Sequence, residues 1–339
     1  MIDTVSIEYQ KQIIETQIKY YINDDFIFLD LPYHSNIGDS LIWYGEQNIL
    51  TKLKFKCLYY ASLKTFHYKV LHTNIIIILH GGGNFGDLYP AHNEFRLHIL
   101  QLYPNNKIII LPQTVYFENV KTARYYAAMF RRHKHLTIFA RDNYSYRFLK
   151  TFRFSDDIKL LPDMAFCINT EWLKSMSKPN SGKNLYFKRI DKEASETDYG
   201  AQLVQKKEYD YGDWPDYGQP EPMLQHLNAL IEAQKYAEAD EYATKKYLPE
   251  RIRIGVEFIS QYNKIVSNRL HGAILSILLN KTTRIIDNSY GKNSGYYNTW
   301  LKDIDSVKLE NTNRTINLKR KLSFVWHYII NIGKIIIGR

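Results

Sequence analysis

A short segment rich in glycine and polar residues carries the clearest chemical signal in this sequence. It runs His80-Gly81-Gly82-Gly83-Asn84-Phe85-Gly86-Asp87 and follows directly on the apolar run 75–79. The apolar run predicts a buried strand. Consecutive glycines after such a strand let the backbone pass unusually close to a ligand. More than one known motif fits this segment, so the rest of the chain must decide among them.

Two of these motifs lack the partners that their chemistry requires. The spaced glycines match the G-x-G-x-x-G dinucleotide fingerprint, but Asp87 would repel a pyrophosphate, and Pro112-Gln113 ends the next predicted strand where an acidic residue is needed. The first four residues match the oxyanion loop of lipases, but the chain has no G-x-S-x-G nucleophile elbow. A glycine turn needed only for close packing stays open, although it leaves the polar residues of the segment without a role.

A second set of polar residues begins a predicted helix far along the chain. Asn268-Arg269-Leu270-His271-Gly272 lies between the predicted strand 264–267 and an apolar helix over 270–279. Free backbone N–H groups and the helix dipole favour an anion at such a point. Arg269 offers a fork of donors for phosphate or carboxylate, and His271 offers a hydrogen bond or a proton. We predict an anion site here; an ordinary surface arginine and core histidine are the alternative.

The elements that must position these residues alternate along the chain. Short apolar strands and amphipathic helices follow one another to about residue 161, and a second such series runs from 251 to 300. This pattern predicts an α/β fold with parallel sheets and right-handed crossovers. Two units of this kind predict a ligand cleft where strand ends and helix starts converge. We expect an N-terminal lobe over 1–174, a C-terminal lobe over 175–313 and a separate segment over 314–339.

Five segments, taken in order, resemble motifs of the polysaccharide pyruvyl transferase family. They are His34-Ser35-Asn36-Ile37-Gly38-Asp39, His80 to Asp87, Ala140-Arg141-Asp142-Asn143-Tyr144-Ser145, Leu161-Pro162-Asp163 and Asn268 to Gly272. The resemblance spans about residues 30 to 300. It implies a GT-B-like fold of two Rossmann-like lobes, and transfer of pyruvyl from phosphoenolpyruvate to a sugar as a ketal. Neither a cofactor nor a metal is expected.

The resemblance also implies roles for individual residues. Arg141, Arg269 and His271 match family residues associated with phosphoenolpyruvate. A donor with both a phosphate and a carboxylate needs at least two cationic sites, and two arginines from different lobes could close on it. We predict His271 as a phosphate contact or general acid, and Asp39 or Asp87 as the group that positions or deprotonates the sugar hydroxyl. For the two aspartates, helix capping and turn formation are the alternatives.

Further residues complete the predicted substrate site. Asp163 caps a turn or binds the acceptor, and Lys292 lies where the family often carries a lysine. The predicted substrate-binding set, besides the two arginines, is Asn36, Gly82, Gly83, Asn84, Asp163 and Lys292.

Composition narrows the class of protein and its partners. The 339 residues carry a formal net charge of +10, which favours an anionic partner. Cys57 and Cys167 are far apart and lack a C-x-x-C spacing, so the sequence predicts neither a disulfide framework nor a zinc cluster. The first 21 residues lack the continuous apolar core of a signal peptide, which favours a cytoplasmic protein.

The C-terminal segment 314–339 combines basic and apolar side chains. Its apolar stretch is interrupted by His327, Asn331 and Lys334, so it falls short of the ~20 residues that span a bilayer. A basic amphipathic helix here suits contact with the inner face of the cytoplasmic membrane and a polyprenyl-diphosphate-linked sugar acceptor. The alternative is a final helix that packs on the N-terminal lobe.

The leading prediction is therefore a pyruvyl transferase in capsule or exopolysaccharide assembly, with phosphoenolpyruvate and a hexose acceptor as substrates. Two alternatives stay open: a GT-B-type glycosyltransferase that uses a nucleotide sugar, and a basic polyanion-binding module. A nucleic-acid partner is not expected, because the polar motifs stand at strand ends that form a cleft.

Overall fold

A parallel β-sheet of seven strands lies in the first half of the chain. The computed structural model describes residues 2–191, 193–194, 209–215 and 221–310. Pairing gives the order β2-β1-β3-β5-β6-β7, with β4 beside the later part of β5. The strands are β1 Phe26–Leu29, β2 Cys57–Ala61, β3 Ile76–Leu79, β4 Gly82–Gly86, β5 Ile108–Tyr116, β6 Leu136–Ala140 and β7 Asp157–Leu160.

Helices cover both faces of this sheet. Ile77 and Leu79 point into a core shared with α3, α4 and α5, while Ile76 and Ile78 point into the core on the opposite face. Burial on both faces explains why the strands read as continuous apolar runs. The helices are α1 Ile2–Tyr21, α2 Ile37–Leu50, α3 Pro90–Leu102, α4 Val120–Phe130, α5 Asn143–Phe152 and α6 Thr170–Ser175, with a 3₁₀ turn over Met164–Cys167.

A second parallel sheet has five strands in the order β12-β11-β10-β8-β9. Its strands are β8 Asn184–Phe187, β9 Tyr209–Gly212, β10 Lys264–Ser267, β11 Thr282–Ile285 and β12 Val307–Leu309. Its helices are α7 Pro222–Glu232, α8 Tyr236–Tyr242, α9 Leu248–Ser260, α10 Leu270–Leu278 and α11 Lys292–Tyr296, with π-helical turns over Ala243–Tyr247 and Tyr297–Leu301.

The two sheets share a strand order and an apolar core. In each sheet, the order in which strands are added reverses beside the first strand. This switch lies between β1 and β3 in the first sheet and between β8 and β10 in the second. Ligands of open parallel sheets bind at such points, beyond the carboxyl ends of the strands. One core cluster contains residues of both sheets, and α2 packs so closely on α9 that a Cβ on Gly255 would lie 2.7 Å from Ile37 Cγ2.

The α/β class with parallel sheets is confirmed, while some predicted boundaries are wrong. The glycines of segment 80–87 predict a loop, but Gly82–Gly86 forms the strand β4. Gly82 pairs with β5 in the same register as β3 does, and the register shifts after Gly82. The strand expected to end at Pro112 continues to Tyr116, because the register shifts between Ile110 and Gln113. A proline is tolerated at such an irregularity, where no N–H is needed.

Two further expectations concern the second half. The many Asp, Tyr, Gly and Pro residues of segment 209–222 predict an exposed loop, but Tyr209–Gly212 pairs with β8 as β9. The predicted C-terminal helix over 314–339 lies outside the described residues. Within the residues that are described, no helix is long and apolar enough to cross a membrane.

Candidate active site

A cavity of about 260 Å³ opens beyond the carboxyl ends of strands from both sheets. Polar and charged side chains make up much of its lining, and seven of the predicted site residues belong to it. These seven are Asn36, Asp39, Gly83, Asn84, Arg269, His271 and Lys292. Arg141 and Asp163 lie directly behind the lining, in contact with His271.

Arg141 follows β6 and is fully buried. Its Nε donates to Thr114 Oγ1 at 2.8 Å, and its Nη1 donates to Asp163 Oδ2 at 2.7 Å. Its Nη2, in contrast, has no hydrogen-bond partner among the described residues. A buried guanidinium N–H without a partner costs free energy, so this atom is well suited to an anionic ligand.

Gly83 gives Arg141 and Lys292 access to a common point. A Cβ on Gly83 would lie 2.6 Å from Lys292 Nζ and 3.0 Å from Arg141 Nη2. Lys292 is buried, and its Nζ lies 3.5 Å from Glu193 Oε2. Burial lowers the pKa of Lys292 to about 8; Glu193 opposes the shift and the Arg141 charge adds to it. The absent side chain at position 83 therefore exposes two converging cationic groups.

His271 lies at the first turn of α10 and contacts Asp163. Its Nε2 is 3.2 Å from Asp163 Oδ2, the oxygen that also accepts from Arg141. Burial lowers the pKa of His271, although Asp163 opposes the shift. Burial would raise the pKa of Asp163, but His271 and Arg141 outweigh it and hold that pKa well below its usual range. The carboxylate therefore accepts from both neighbours and fixes the imidazole.

The position of His271 also depends on a glycine of the first sheet's α2. A Cβ on Gly38 would lie 2.6 Å from His271 Nδ1. The helix of the second sheet that carries His271 thus approaches the backbone at the start of α2. Gly38 belongs to the motif Asn36-Ile37-Gly38-Asp39 (N-x-G-D), in which the sequence predicts no specific role for the glycine.

Arg269 and Arg189 form the opposite wall, where each is paired with carboxylates. Arg269 forks onto both oxygens of Asp213, and its Nη2 lies 3.2 Å from Asp191 Oδ2. Arg189 donates to Asp191 at 2.6 Å and to Glu193 at 2.7 Å. Burial would raise the pKa of Glu193, but Lys292 and Arg189 hold it at about 2. The predicted anion contact at Arg269 is thus already engaged by Asp213.

The N-x-G-D segment starts α2 at the edge of the cavity. Asn36 caps the helix by accepting from Gly38 N, and its Nδ2 donates to Asp39 Oδ2 at 2.8 Å. Burial would raise the pKa of Asp39, but His34 and His271 outweigh it and lower that pKa. Asp39 Oδ1 would lie 3.5 Å from a Cβ on Gly82, so this carboxylate adjoins the glycine strand.

Asp87 and Asn84 have structural contacts of their own. The two oxygens of Asp87 accept from the backbone N–H groups of Glu118 and Asn119 at 2.9 and 2.8 Å, and Asp87 is not part of the cavity lining. Asn84 lines the cavity, and its Oδ1 accepts from the buried Arg96. The contacts of Asp87 correspond to turn formation.

Sequence reasoning missed a buried network behind the glycine strand. Asp30, in a left-handed conformation with φ 68°, lies at the end of β1 and contacts His92 Nδ1 at 2.7 Å and Arg96 Nη2 at 3.0 Å. His92 lines the cavity. His80 Nδ1 lies 2.5 Å from Glu46 Oε2 in a separate buried pair. An acidic residue directly after β1 is the signal that could have drawn attention to Asp30.

The cavity brings cationic and titratable side chains together at the strand ends. Arg141 Nη2 and Lys292 Nζ converge at Gly83, and the His271–Asp163 pair lies beside them. Among the described residues, no group of three or more histidines, cysteines and acidic residues could hold a metal ion. Fold and site together define an α/β protein of parallel sheets with a polar, partly cationic cavity beyond the strand ends.

Comparison with known proteins gives the family. The model of the family described as polysaccharide pyruvyl transferase matches residues 36–290, so this chain belongs to that family and is a transferase. Ten of the eleven predicted site residues fall inside this range, and Lys292 lies two positions beyond it. Family membership disfavours the alternative of a polyanion-binding module.

Two relatives cover nearly the whole chain. A protein of Bacillus subtilis (strain 168) named "Putative pyruvyl transferase EpsO" is 34% identical over 291 residues, covering 84% of this chain and 88% of its own. "Pyruvyl transferase 1" of Schizosaccharomyces pombe (strain 972 / ATCC 24843) is 25% identical over 336 residues, covering 92% of this chain and 80% of its own.

A solved structure supports the fold alone. The crystal structure of an uncharacterized protein, KP1_0663, from Klebsiella pneumoniae subsp. pneumoniae NTUH-K2044 superposes with a TM-score of 0.63 at 20% identity. It covers 89% of this chain and 99% of the solved chain.

Proposed function

We propose that this enzyme transfers pyruvyl from phosphoenolpyruvate to two hydroxyls of a hexose in a polysaccharide repeat unit, forming a ketal and releasing phosphate. The observation that carries the proposal is that Arg141 Nη2 lies buried beside Lys292 Nζ at Gly83 and has no hydrogen-bond partner in the described ranges of the chain. Two converging cations suit a donor that bears both a carboxylate and a phosphate. Family membership supports the same chemistry.

The two sheets form two Rossmann-like lobes in a GT-B-like arrangement, with the substrates in the cleft between them. Support comes from their common strand order and from a cavity lined by residues of both. We place the lobe boundary near residue 175, and we place the donor against Arg141 and Lys292, with Asn36, Asp39 and Asn84 on the acceptor side.

In the first step, a sugar hydroxyl oxygen bonds to C2 of the enolpyruvate while C3 takes up a proton. Asp39 receives the hydroxyl proton, because its lowered pKa keeps it ionised and it lines the cavity. In the second step, the other hydroxyl displaces phosphate from C2, and its proton leaves with the phosphate. Arg141 and Lys292 stabilise the negative charge on donor and leaving group electrostatically.

His271 is the candidate for protonation of C3 or for contact with the phosphate. Asp163 orients its ring, and Arg141 contacts the same carboxylate. Arg269, forked on Asp213, holds the opposite wall and contributes its charge from there. Asp87 stabilises the turn at Glu118, and Gly82 and Gly83 keep the backbone close to the substrates.

The acceptor we propose is a lipid-linked repeat unit in exopolysaccharide or capsule assembly at the inner face of the cytoplasmic membrane. The name of the EpsO relative and the basic segment 314–339, which lies outside the described residues, support this setting.

The decisive experiment measures phosphate release from phosphoenolpyruvate with and without a hexose acceptor, alongside mass spectrometry of the acceptor. We expect release that depends on the acceptor and a mass increase equal to one ketal-linked pyruvyl group. Release of a nucleoside diphosphate from a nucleotide sugar, with no reaction of phosphoenolpyruvate, would replace the proposal with the glycosyltransferase alternative. A His271→Ala variant that keeps more than a tenth of wild-type turnover would remove His271 from catalysis.

A further inference from the structure

The helices α4 and α5 present an exposed surface that the proposed reaction does not use. They lie on the outer face of the first sheet, where their apolar sides pack into one core. On α4 the exposed positions Lys121, Arg124, Ala128 and Arg131 fall three or four residues apart, and so form one stripe.

On α5 the exposed stripe includes Arg147 and Lys150. Neither α4 nor α5 contains an acidic residue. The helix α3 packs on the same side of the sheet, yet its exposed face carries Glu94 and no lysine or arginine. The positive charge is therefore confined to α4, α5 and the turns after them. We call this surface the basic face; its cations are Lys121, Arg124, Arg131, Arg132, Lys134, Arg147, Lys150 and Arg153.

The basic face differs from the rest of the surface in how its charges are paired. On other helices some exposed lysines have acidic partners within the same helix, such as Lys174 with Glu171 and Lys245 with Glu241. By contrast, four cations line one shallow depression of about 460 Å³ with Asp156 as its single acidic residue. None of these four forms an ion pair within the described part of the chain. They are Arg131, Arg132, Lys134 and Arg153.

Helix capping accounts for only part of this charge. Arg131 and Arg153 stand at the C-caps of α4 and α5, where a cation complements the helix dipole. That effect fades within one turn, so it does not account for Lys121 at the start of α4 or for Arg147 in the middle of α5. The four cations of the depression repel one another with only Asp156 beside them, which indicates that an anionic partner neutralises them.

We propose that the basic face docks on the anionic headgroups of a lipid bilayer. The cations lie on the exposed sides of two neighbouring helices and on the turns after them, so they spread over a surface rather than along a single element. Tyr125 and Tyr144 are exposed on the same stripes at 56% and 37%, and tyrosines suit the headgroup region. A helix face of lysine and arginine with exposed aromatics is typical of contact with a membrane surface.

The start of α5 lies near the active site. The helix begins two residues after Arg141, at the edge of the sheet where the cavity lies, and the depression lies at the opposite ends of α4 and α5. A bilayer that covers the whole length of α5 therefore extends to the cavity's edge of the sheet. The proposal requires only an anionic surface, so it can fail or succeed independently of the pyruvyl transfer reaction.

The test is co-sedimentation of the full-length protein with vesicles rich in phosphatidylglycerol and with vesicles of phosphatidylcholine alone. The test variant carries Lys121→Glu, Arg132→Glu and Arg147→Glu. The matched control carries Lys54→Glu, Lys56→Glu and Lys64→Glu, which change net charge equally at exposed positions around β2. Thermal unfolding and phosphate release with a soluble acceptor verify that all three proteins are folded. If the Glu variant does not fold, the corresponding Gln substitutions replace it.

We expect wild type and control to bind the phosphatidylglycerol vesicles and to dissociate as salt is raised. The basic-face variant loses about a hundredfold in partition coefficient, since each lysine or arginine near an anionic surface contributes roughly fivefold. Equal binding by variant and wild type would overturn the proposal and point to segment 314–339 or another surface. Absence of wild-type binding, or displacement of wild type from vesicles by an oligonucleotide at equal charge, would overturn it as well.

Discussion

Arg141 and Arg269 reach the same cavity from different sheets, but their guanidinium groups are held in different ways. Arg141 donates from two of its nitrogens to Thr114 and Asp163, and its Nη2 has no partner in the part of the chain that the structure describes. Arg269 forks onto Asp213 and approaches Asp191. Both looked equivalent as candidate anion contacts. The difference teaches that a buried arginine recognises a ligand with the donors that its own protein leaves unpaired.

A pair of conservative substitutions gives the strongest test of whether Arg141 and Arg269 differ in donor binding. Arg141→Lys keeps a charge near Asp163 but loses the fork that reaches Gly83, so we expect kcat/KM for phosphoenolpyruvate to fall about a hundredfold. Arg269→Lys keeps an ion pair with Asp213, and we expect a loss within about tenfold. Steady-state kinetics on both variants decides the matter. Equal losses would mean that Arg269 binds the donor as directly as Arg141.

A pair of alanine substitutions in the glycine strand separates steric from conformational effects. Gly83→Ala places a methyl 2.6 Å from Lys292 Nζ. We expect donor affinity to fall by about tenfold or more, with little loss of stability. Gly82→Ala meets nothing closer than 3.5 Å but must adopt a φ of 134°, so its main cost is in the free energy of unfolding, about 1–3 kcal/mol. Donor titrations and chemical denaturation distinguish the two, and the comparison fails if both variants behave alike.

The pH dependence of donor binding tests whether Lys292 acts as a cation. Because burial lowers its pKa to about 8, the free enzyme loses this charge as the pH rises through that value. We expect kcat/KM for phosphoenolpyruvate to be high below pH 8 and to decline about tenfold per pH unit above it. Lys292→Arg keeps the charge at every accessible pH, so the decline above pH 8 should disappear. A profile that the substitution leaves unchanged would exclude Lys292 as its source.

The smallest effect is expected at Asp87. Its carboxylate accepts from two backbone N–H groups outside the cavity lining, so Asp87→Asn should cost about 1 kcal/mol of stability. Turnover should stay within about twofold of wild type. Urea unfolding and phosphate release measure the two quantities. A large loss of turnover with unchanged stability would return Asp87 to the catalytic candidates.

Local sequence patterns were sufficient to predict the location of residues that directly follow strands. Arg141 and Asn268 are adjacent to short apolar runs whose boundaries agree with the structure, so their place at a sheet edge was predictable. The ion pair between Arg269 and Asp213 was not predictable, because Asp213 lies 56 positions away and on a segment expected to be a loop. The Asp30–His92 contact depends on a left-handed backbone at a non-glycine residue, which no composition rule predicts. Long-range contacts of this kind are set by packing of the whole molecule.

The apolar core shared by the two sheets has a consequence for how the enzyme forms. Neither half can bury that core alone, so a fragment ending before β8 would leave the apolar face under α2 exposed to water. We therefore expect the two halves to unfold in one cooperative transition rather than as separate units. During synthesis, Lys292 leaves the ribosome well after Arg141. The anion site is thus completed only after the strands of the second sheet up to Lys292 have been synthesised and have packed against the first sheet.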